Sequence, residues 1–346
     1  MLKKLVEMVN SAKCFTVLAD ETTDISTQKQ ASIGVRYLYN NDIKEEFLQF
    51  VPVSDLTGKN LATVILKSLR EFGIDTKYLR GQGYDGSAAM SGKFEGAHAD
   101  VMEERPTAIY FHCVSHSLNL AISASCSISE IRKCCGTATK LCLFFNTPKR
   151  MEVITRAIDK LFPEAKSTRL KQLCPTRWVE RHDSILLLQE MLPAVQEALE
   201  EVSQWKDVEL ASMASQLLCG LLSSSFIISL QVMARVFSLS LPLARFLQHE
   251  HIDLLNAMNM VTNLKGTIEK IRTNAEEEFA TIFNASETMA ELLSTSIKAP
   301  RRTGRQTLRC NIETDNHNPQ SYFKISLFLP FLDHFLSELN SRFLKH

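Results

Sequence analysis

Three β-prone runs crowd the first fifty residues of this chain, and the hydrophobic period then changes; that order constrains the fold more than any other feature. Residues 14–18 (CFTVL), 31–39 (ASIGVRYLY) and 43–53 (IKEEFLQFVPV) are rich in β-branched and aromatic side chains, and Asn40-Asn41-Asp42 supplies a hairpin turn between the second and third. Residues 57–72 place apolar side chains at 61, 64, 65, 66, 69 and 72, the spacing of a helix, which Gly73 ends. A fourth strand is predicted over about 78–84, a helix over 86–104, a fifth strand over 108–112 and the start of another helix over 115–124. The order is β-β-β-α-β-α-β-α.

Short links between the first three strands make them antiparallel, whereas strands joined through helices return parallel to their neighbours. This is the layout of an RNase H-like core, so the expected class is α/β with a mixed sheet. Over about 183–296 the chain reads instead as long helical patterns rich in Leu, Ala, Met and Glu, with almost no strand signal. The expected division is therefore a core over 1–183, an all-helical insertion over 184–297, a basic and polar linker over 298–320, and a helical segment over 321–346 leading towards a missing carboxy-terminal part. The linker carries Lys298, Arg301, Arg302, Arg305 and Arg309 around Pro300 and Gly304. Five cations in so short a span could track a phosphate backbone or simply be solvated.

Asp20, in LADETTD (18–24), and Asp85, in GYDGS (83–87), each stand where an apolar run gives way to small polar residues. Two such strands paired in one sheet would bring Asp20 and Asp85 together as oxygen ligands for Mg²⁺ or Mn²⁺. The alternative is that Asp20 caps a turn and Asp85 caps the next helix. Lys plus Arg equals Asp plus Glu at 39 each, so any nucleic-acid surface has to be a local patch. The nine cysteines lack regular spacing and no secretory signal precedes them, which reads as an intracellular chain with reduced, mostly buried thiols. No run approaches the roughly 20 uninterrupted apolar residues that span a bilayer, and no membrane partner is expected.

Four segments in order, LADETTD (18–24), GQGYDGSAAMSG (81–92), FHCVSHSLNLAI (111–122) and CPTRWVERHDSI (174–185), resemble the hAT-superfamily DNA transposases and the host proteins derived from them. The resemblance is closest to the branch that includes the transposase-like regions of MYM-type zinc-finger proteins, and it extends to the tail at 321–343. It implies a DDE-type enzyme whose RNase H-like core is split by a helical insertion. In that family the aspartates matching Asp20 and Asp85 hold divalent cations for DNA strand cleavage and transfer, and Asp24 matches a weaker motif position. The family's third carboxylate, a glutamate, would lie past the last residue here, so this chain alone is expected to be inactive. The resemblance also implies a nuclear protein, DNA partners of transposon-end or hairpin type, nuclear protein partners, and a homo-oligomer formed through a segment that this chain lacks, as it lacks the family's amino-terminal zinc finger.

Thr176-Arg177-Trp178 matches a family fingerprint. An indole can stack on an unpaired base and a neighbouring guanidinium can fork onto phosphate, so Arg177, Trp178 and Arg181 are candidate DNA contacts. Equally, Trp178 could be a core aromatic, with Arg177 and Arg181 capping or pairing. Cys113 and His116, spaced C-x₂-H, invite zinc, but only His112, Cys134 and Cys135 offer completion and none has ligand-pair spacing; zinc is not expected. The reading that results is a transposase-derived nucleic-acid-binding domain. The alternatives are a domesticated, non-enzymatic interaction or transcription-regulatory protein and, last, an RNase H-like exonuclease using Glu21, Asp24 or Asp183.

Overall fold

The β-prone runs become β1 (Phe15–Thr23), β2 (Lys29–Tyr39) and β3 (Asp42–Pro52), followed by β4 (Leu79–Tyr84) and β5 (Ile109–His112). They form one five-stranded sheet of order β3-β2-β1-β4-β5, antiparallel across β1, β2 and β3 and parallel from β1 through β4 to β5. This computed structural model describes residues 2–23, 28–92, 96–165, 167, 169–171, 178–248, 254–300 and 318–343. The β2–β3 hairpin turns on Asn40 and Asn41, both with positive φ (52° and 60°), while Tyr39 pairs with Asp42. Two consecutive left-handed residues make the turn whose twist matches that of the strands, and Asn tolerates that conformation better than other side chains.

The chain divides into two compact units, Met1–Leu118 with Leu247–Leu254 and Asn119–Phe246 with Leu255–His346. In the first, β1 and β2 bury alternate residues, Phe15, Val17 and Ala19 with Ala31, Ile33, Val35 and Tyr37, against α1 (Leu2–Ala12), α2 (Gly58–Glu71) and α4 (Ala97–Glu104). Period-two alternation puts one face of each strand into that core. Thr57 caps α2 by accepting the Asn60 N–H, and Gly73 at φ 80° lets the chain leave the helix. Asn10 of α1 ties this exit down, donating to the Gly73 carbonyl at 3.0 Å and accepting the Asp75 N–H at 2.9 Å.

The helix expected over 86–104 is two helices, α3 (Ala88–Ser91) and α4. The Gly96 N–H donates to the Gly92 carbonyl at 2.8 Å, and a Cβ on Gly96 would stand 2.4 Å from the Gly92 nitrogen. Only glycine permits that backbone approach, and it breaks the helix. β1 likewise outruns its expected end: it pairs through Asp20↔Ser32 as far as Thr23↔Lys29, so Asp20 lies within a strand and caps no turn.

Helices begin well before residue 183. α5 (Val114–Ser125) follows β5, and α6 (Ser129–Phe144) and α7 (Pro148–Leu161) precede α8 (Trp178–Ser203), α9 (Val208–Leu221), α10 (Ser224–Phe246), α11 (Leu254–Thr273) and α12 (Ala275–Leu292). Beyond residues 301–317, which take in most of the expected basic linker and lie outside the described residues, come α13 (Pro319–Phe323), a π-helical turn over Lys324–Phe328 and α14 (Leu329–Phe343). α10 is long and apolar enough to cross a membrane by length and composition, yet 72% of its most apolar stretch is buried, as in the core helix of a helical unit. Around it Phe237 meets Phe331 edge-on with ring centroids 5.8 Å apart, and Phe279 meets Phe328 at 5.2 Å. On the surface of this unit, Arg156 of α7 grips Glu201 of α8 through two contacts of 2.5 and 2.7 Å.

The cysteines are less buried than expected. Among the described residues Cys126 and Cys134 are buried, Cys135 and Cys142 half-buried, and Cys14, Cys113 and Cys219 retain exposed surface. Cys134 and Cys135 both turn towards α10, the first with its thiol 3.7 Å from the Phe226 carbonyl and the second 3.6 Å from Met233 Sδ.

Candidate functional site at the ends of β1 and β4

Parallel pairing of Thr16↔Gly81, Val17↔Gln82 and Leu18↔Gly83 sets the register of β1 on β4. Carried two residues further, it places Asp20 against Asp85, at the carboxyl ends of neighbouring strands about 5 Å apart. A Cβ on Gly81 would strike Thr16 Oγ1 and one on Gly83 would strike Leu18 Cδ2, so Thr16, Leu18, Gly81 and Gly83 share a face. Alternation continues that face to Asp20 and Asp85.

Each aspartate is held through its main chain. Ser32 Oγ donates to the Asp20 carbonyl at 3.1 Å across the β1–β2 ladder. Tyr110 Oη donates to the Asp85 carbonyl at 3.2 Å, and Cys113 N–H donates to the Tyr84 carbonyl at 2.9 Å, extending the β4–β5 ladder. Asp85 does not cap α3. Its Oδ1 accepts the Ser87 N–H at 3.2 Å, a local turn that orients the carboxylate, and Ser87 takes the N-cap position. Among the described residues the buried Ser87 hydroxyl has no hydrogen-bond partner.

The two aspartates are felt by their neighbours. Burial, then the negative charge of Asp85, and more weakly that of Asp20, raise the pKa of Glu21 above the ordinary carboxylate value against the pull of Lys29. The Cys113 thiol is raised chiefly by burial; both aspartates add to this, while N–H groups of His116 and Ser115 oppose it. Carboxylates that repel one another at a strand end are the electrostatic setting that a cation relieves. The donors are hard oxygens, which suits Mg²⁺ or Mn²⁺. Among the described residues, however, no group of three or more His, Cys, Asp or Glu is placed to hold a metal ion.

His116 stands with its ring centroid 5.5 Å from that of His112, and a Cβ on Gly86 would lie 2.6 Å from the His112 ring. Gly86 thus lets the Asp85 loop close over this histidine pair. Arg177 lies outside the described residues; Trp178 opens α8, but its side chain and that of Arg181 are also outside them. Asp24 falls outside as well. The coupling of Glu21 to Asp85 and the anchoring role of Tyr110 were missed by the sequence reading of the strands. Both depend on the β1–β4–β5 pairing, and the only signal was the strand order.

Comparison with known proteins agrees with this geometry in outline. Residues 1–96 match the family described as "DUF4371: ZMYM1/FAM200, RNase-like domain". The chain is 25% identical over 347 residues to the "52 kDa repressor of the inhibitor of the protein kinase" of Homo sapiens, covering 97% of this chain and 45% of that protein. The Mus musculus protein of the same description is also 25% identical, over 346 residues with the same coverage. A shorter match, 33% identical over 90 residues, joins it to the "General transcription factor II-I repeat domain-containing protein 2" of Bos taurus, covering 25% of this chain and 10% of that protein. The chain thus spans less than half the length of the first two relatives.

Proposed function

We propose that this chain is a hAT transposase-derived nucleic-acid-binding protein that keeps the metal-site strands of a DDE enzyme without turning over DNA by itself. The observation that supports the reading is the β1–β4 register, whose last pair is Leu18↔Gly83 and whose extension by two residues would align Asp20 with Asp85. Mg²⁺ is commonly bound through one or two carboxylates, with waters and phosphate oxygens completing its shell, so two aspartates suit a weak cation site that a nucleic-acid phosphate strengthens. Such a cation, when bound, would neutralise phosphoryl charge and polarise an attacking oxygen. The chain's own contribution is positional: Tyr110 and Ser87 fix the Asp85 loop, and Ser32 fixes the main chain at Asp20. Among the described residues no third carboxylate joins Asp20 and Asp85 in a metal-holding group, and two alone supply less transition-state stabilisation than two-metal strand cleavage draws on. DNA contact is assigned to Arg177, Trp178 and Arg181 on sequence alone, and the nucleus is the proposed location.

The test is a Mn²⁺ titration followed by water-proton relaxation, with and without a hairpin oligonucleotide. Expected are weak binding, on the order of millimolar for so few protein ligands, tightening with the DNA, and loss in both Asp20→Asn and Asp85→Asn. Unchanged Mn²⁺ affinity in Asp85→Asn would remove the metal role, and metal-dependent nicking of the hairpin by this chain would overturn the non-catalytic assignment.

A second reading, an interaction protein in transcriptional regulation, is favoured by the names of the relatives, a repressor and a protein with general transcription factor repeats. Here the helical unit supplies the partner surface. Co-purification with nuclear proteins that survives nuclease treatment, from a chain that binds no hairpin DNA, would select this reading over the first.

A further inference from the structure

Cations and carboxylates are equal in number in this chain, 39 each, so a surface of one sign is informative wherever it occurs. The outer face of α6, in the helical unit, is such a surface. At 3.6 residues per turn Arg132, Lys133, Gly136, Lys140 and Leu143 fall within about 100° of one another around the helix, and all five are exposed. Ile131, Cys134, Ala138 and Leu141 take the opposite side and are buried. The single carboxylate of α6, Glu130, points away from the outer face: it holds Lys133 at 2.8 Å and accepts the Ser225 hydroxyl of α10 at 2.7 Å. Among the described residues Arg132 and Lys140 make no ion pair.

The helices packed on α6 add almost no negative charge. α10 bears Arg235 and Arg245 and no carboxylate. α9 meets α6 where a Cβ on Gly220 would stand 3.6 Å from Thr137, and its one carboxylate, Glu209, lies about 16 Å away along the helix axis. At the carboxyl end of α6 the Cys142 thiol donates to the Lys171 carbonyl at 3.2 Å, which anchors a segment bearing the exposed Arg169 and Lys171 beside the helix. Gly136 stands mid-helix, one turn from Arg132 and one turn from Lys140. Glycine weakens a helix there relative to alanine, and packing does not require it, since a Cβ would meet nothing within 4 Å. What glycine does supply is a backbone open to the close approach of a ligand.

We infer that the outer face of α6 is a contact for the sugar-phosphate backbone of DNA, with Arg132 and Lys140 taking phosphate oxygens on either side of Gly136 and Lys171 extending the contact past the end of the helix. This rests on the nucleic-acid-binding reading above and gives it a surface built from described residues. Arg132 and Lys140 are about 12 Å apart along α6, and one strand of a duplex carries a phosphate every 3.4 Å or so of its axis, so the two cations meet phosphates three or four apart. Such contacts position DNA without reading its bases. A protein partner fits the face less well, because protein interfaces are centred on apolar and aromatic side chains and the one large apolar residue here, Leu143, stands at the end of the row.

The test uses the full chain and a fluorescein-labelled hairpin oligonucleotide, with anisotropy followed from about 50 to about 200 mM salt. Arg132→Gln combined with Lys140→Gln, both at exposed positions and checked for folding by circular dichroism, should weaken binding at least about tenfold at the lower salt. It should also reduce the slope of log affinity against log salt by about 2, one for each cation removed, and leave Mn²⁺ binding without DNA unchanged. Gly136→Leu should raise the melting temperature, because leucine favours the helix, and still weaken the hairpin at least about fivefold; a purely structural residue would not move the two in opposite senses. An unchanged salt slope in the double variant, with the wild-type chain binding the hairpin, would overturn the inference and leave the nucleic-acid reading standing. Absence of hairpin binding by the wild-type chain at the lower salt would overturn both. Labelled polyglutamate that binds as tightly as the hairpin, and is lost in the same double variant, would make the occupant an acidic protein and overturn the assignment to DNA.

Discussion

Tyr110 donates its phenolic hydrogen to the main-chain carbonyl of Asp85 at 3.2 Å, so a residue of the outermost parallel strand holds the loop that presents a candidate metal ligand. The same ring stacks near His98 of α4, with centroids 4.8 Å apart, and burial raises its pKa. The hydroxyl is therefore held in its neutral, donating form at any pH the protein meets. Tyr110→Phe should cost about 1 kcal/mol in urea unfolding, the usual net value of one hydrogen bond. It should also weaken Mn²⁺ binding a fewfold, with the carboxylates themselves intact. Stability loss without any change in Mn²⁺ affinity would make Tyr110 structural only.

Glu21 gives a pH signature of opposite sign to the usual carboxylate. Its pKa is raised in the folded chain by burial, then by Asp85 and Asp20, so the folded state holds the proton more tightly than the unfolded state does. The stability that this proton contributes is present at low pH and is lost as pH rises from the unfolded value through the raised folded one. Glu21→Gln should therefore raise the melting temperature at pH 7 by about 1–2 °C and have little effect near pH 4. Adding Mg²⁺ should shrink the difference at pH 7, because a cation relieves the same repulsion; a Glu21→Gln chain less stable than wild type at pH 7 would contradict this account.

Strand order was legible because hydrophobic period and turn chemistry agree: Asn40-Asn41 marks the hairpin, Gly73 the end of α2, and the apolar run of β4 stops at Asp85. What escaped the sequence depends on backbone neighbours distant in the chain. A bulge in β3, between the pairs Ile33↔Gln49 and Gly34↔Phe47, turns Phe47 and Phe50 to one face with their rings 4.7 Å apart; it is a mismatch between β2 and β3 and has no signature in β3 alone. Gly92 and Gly96 read as residues within a helix because their clash appears only once the backbone folds back on itself. That Asp20 and Asp85 stand towards the carboxyl ends of neighbouring strands was legible from strand order, whereas the electrostatic influence of both on Glu21 and Cys113 depends on side-chain placement.

The β2–β3 turn offers a stabilising change. Asn40 and Asn41 occupy the left-handed region at φ 52° and 60°, where glycine meets no steric cost. Asn41→Gly matches the strongest two-residue hairpin sequence, Asn-Gly, and should add about 0.5 kcal/mol in chemical denaturation. Asn41→Val, which forces a β-branched side chain into the same conformation, should cost more than 1 kcal/mol, on the order expected for stored backbone strain. Equal stability of the two variants would mean the turn is not held in this geometry.

In the helical unit, α14 carries a burial contrast two residues apart. Phe331 is fully buried against Phe237, whereas Asp333 sits at the surface, taking Arg272 through contacts of 2.6 and 3.2 Å. Removing a buried aromatic loses its transfer free energy and leaves a cavity, so Phe331→Ala should cost about 3–5 kcal/mol. An exposed ion pair is screened and must hold two mobile side chains, so Asp333→Ala should cost less than about 1 kcal/mol, even though its geometry is bidentate. Guanidinium unfolding followed by tryptophan fluorescence measures both, since Trp205 lies in this unit with Lys149 4.4 Å above its ring. Because α14 closes on α10 through Phe331, the first variant should also lower the unfolding midpoint reported by Trp205. A midpoint as high as wild type would show that α14 is not part of the cooperative core of that unit.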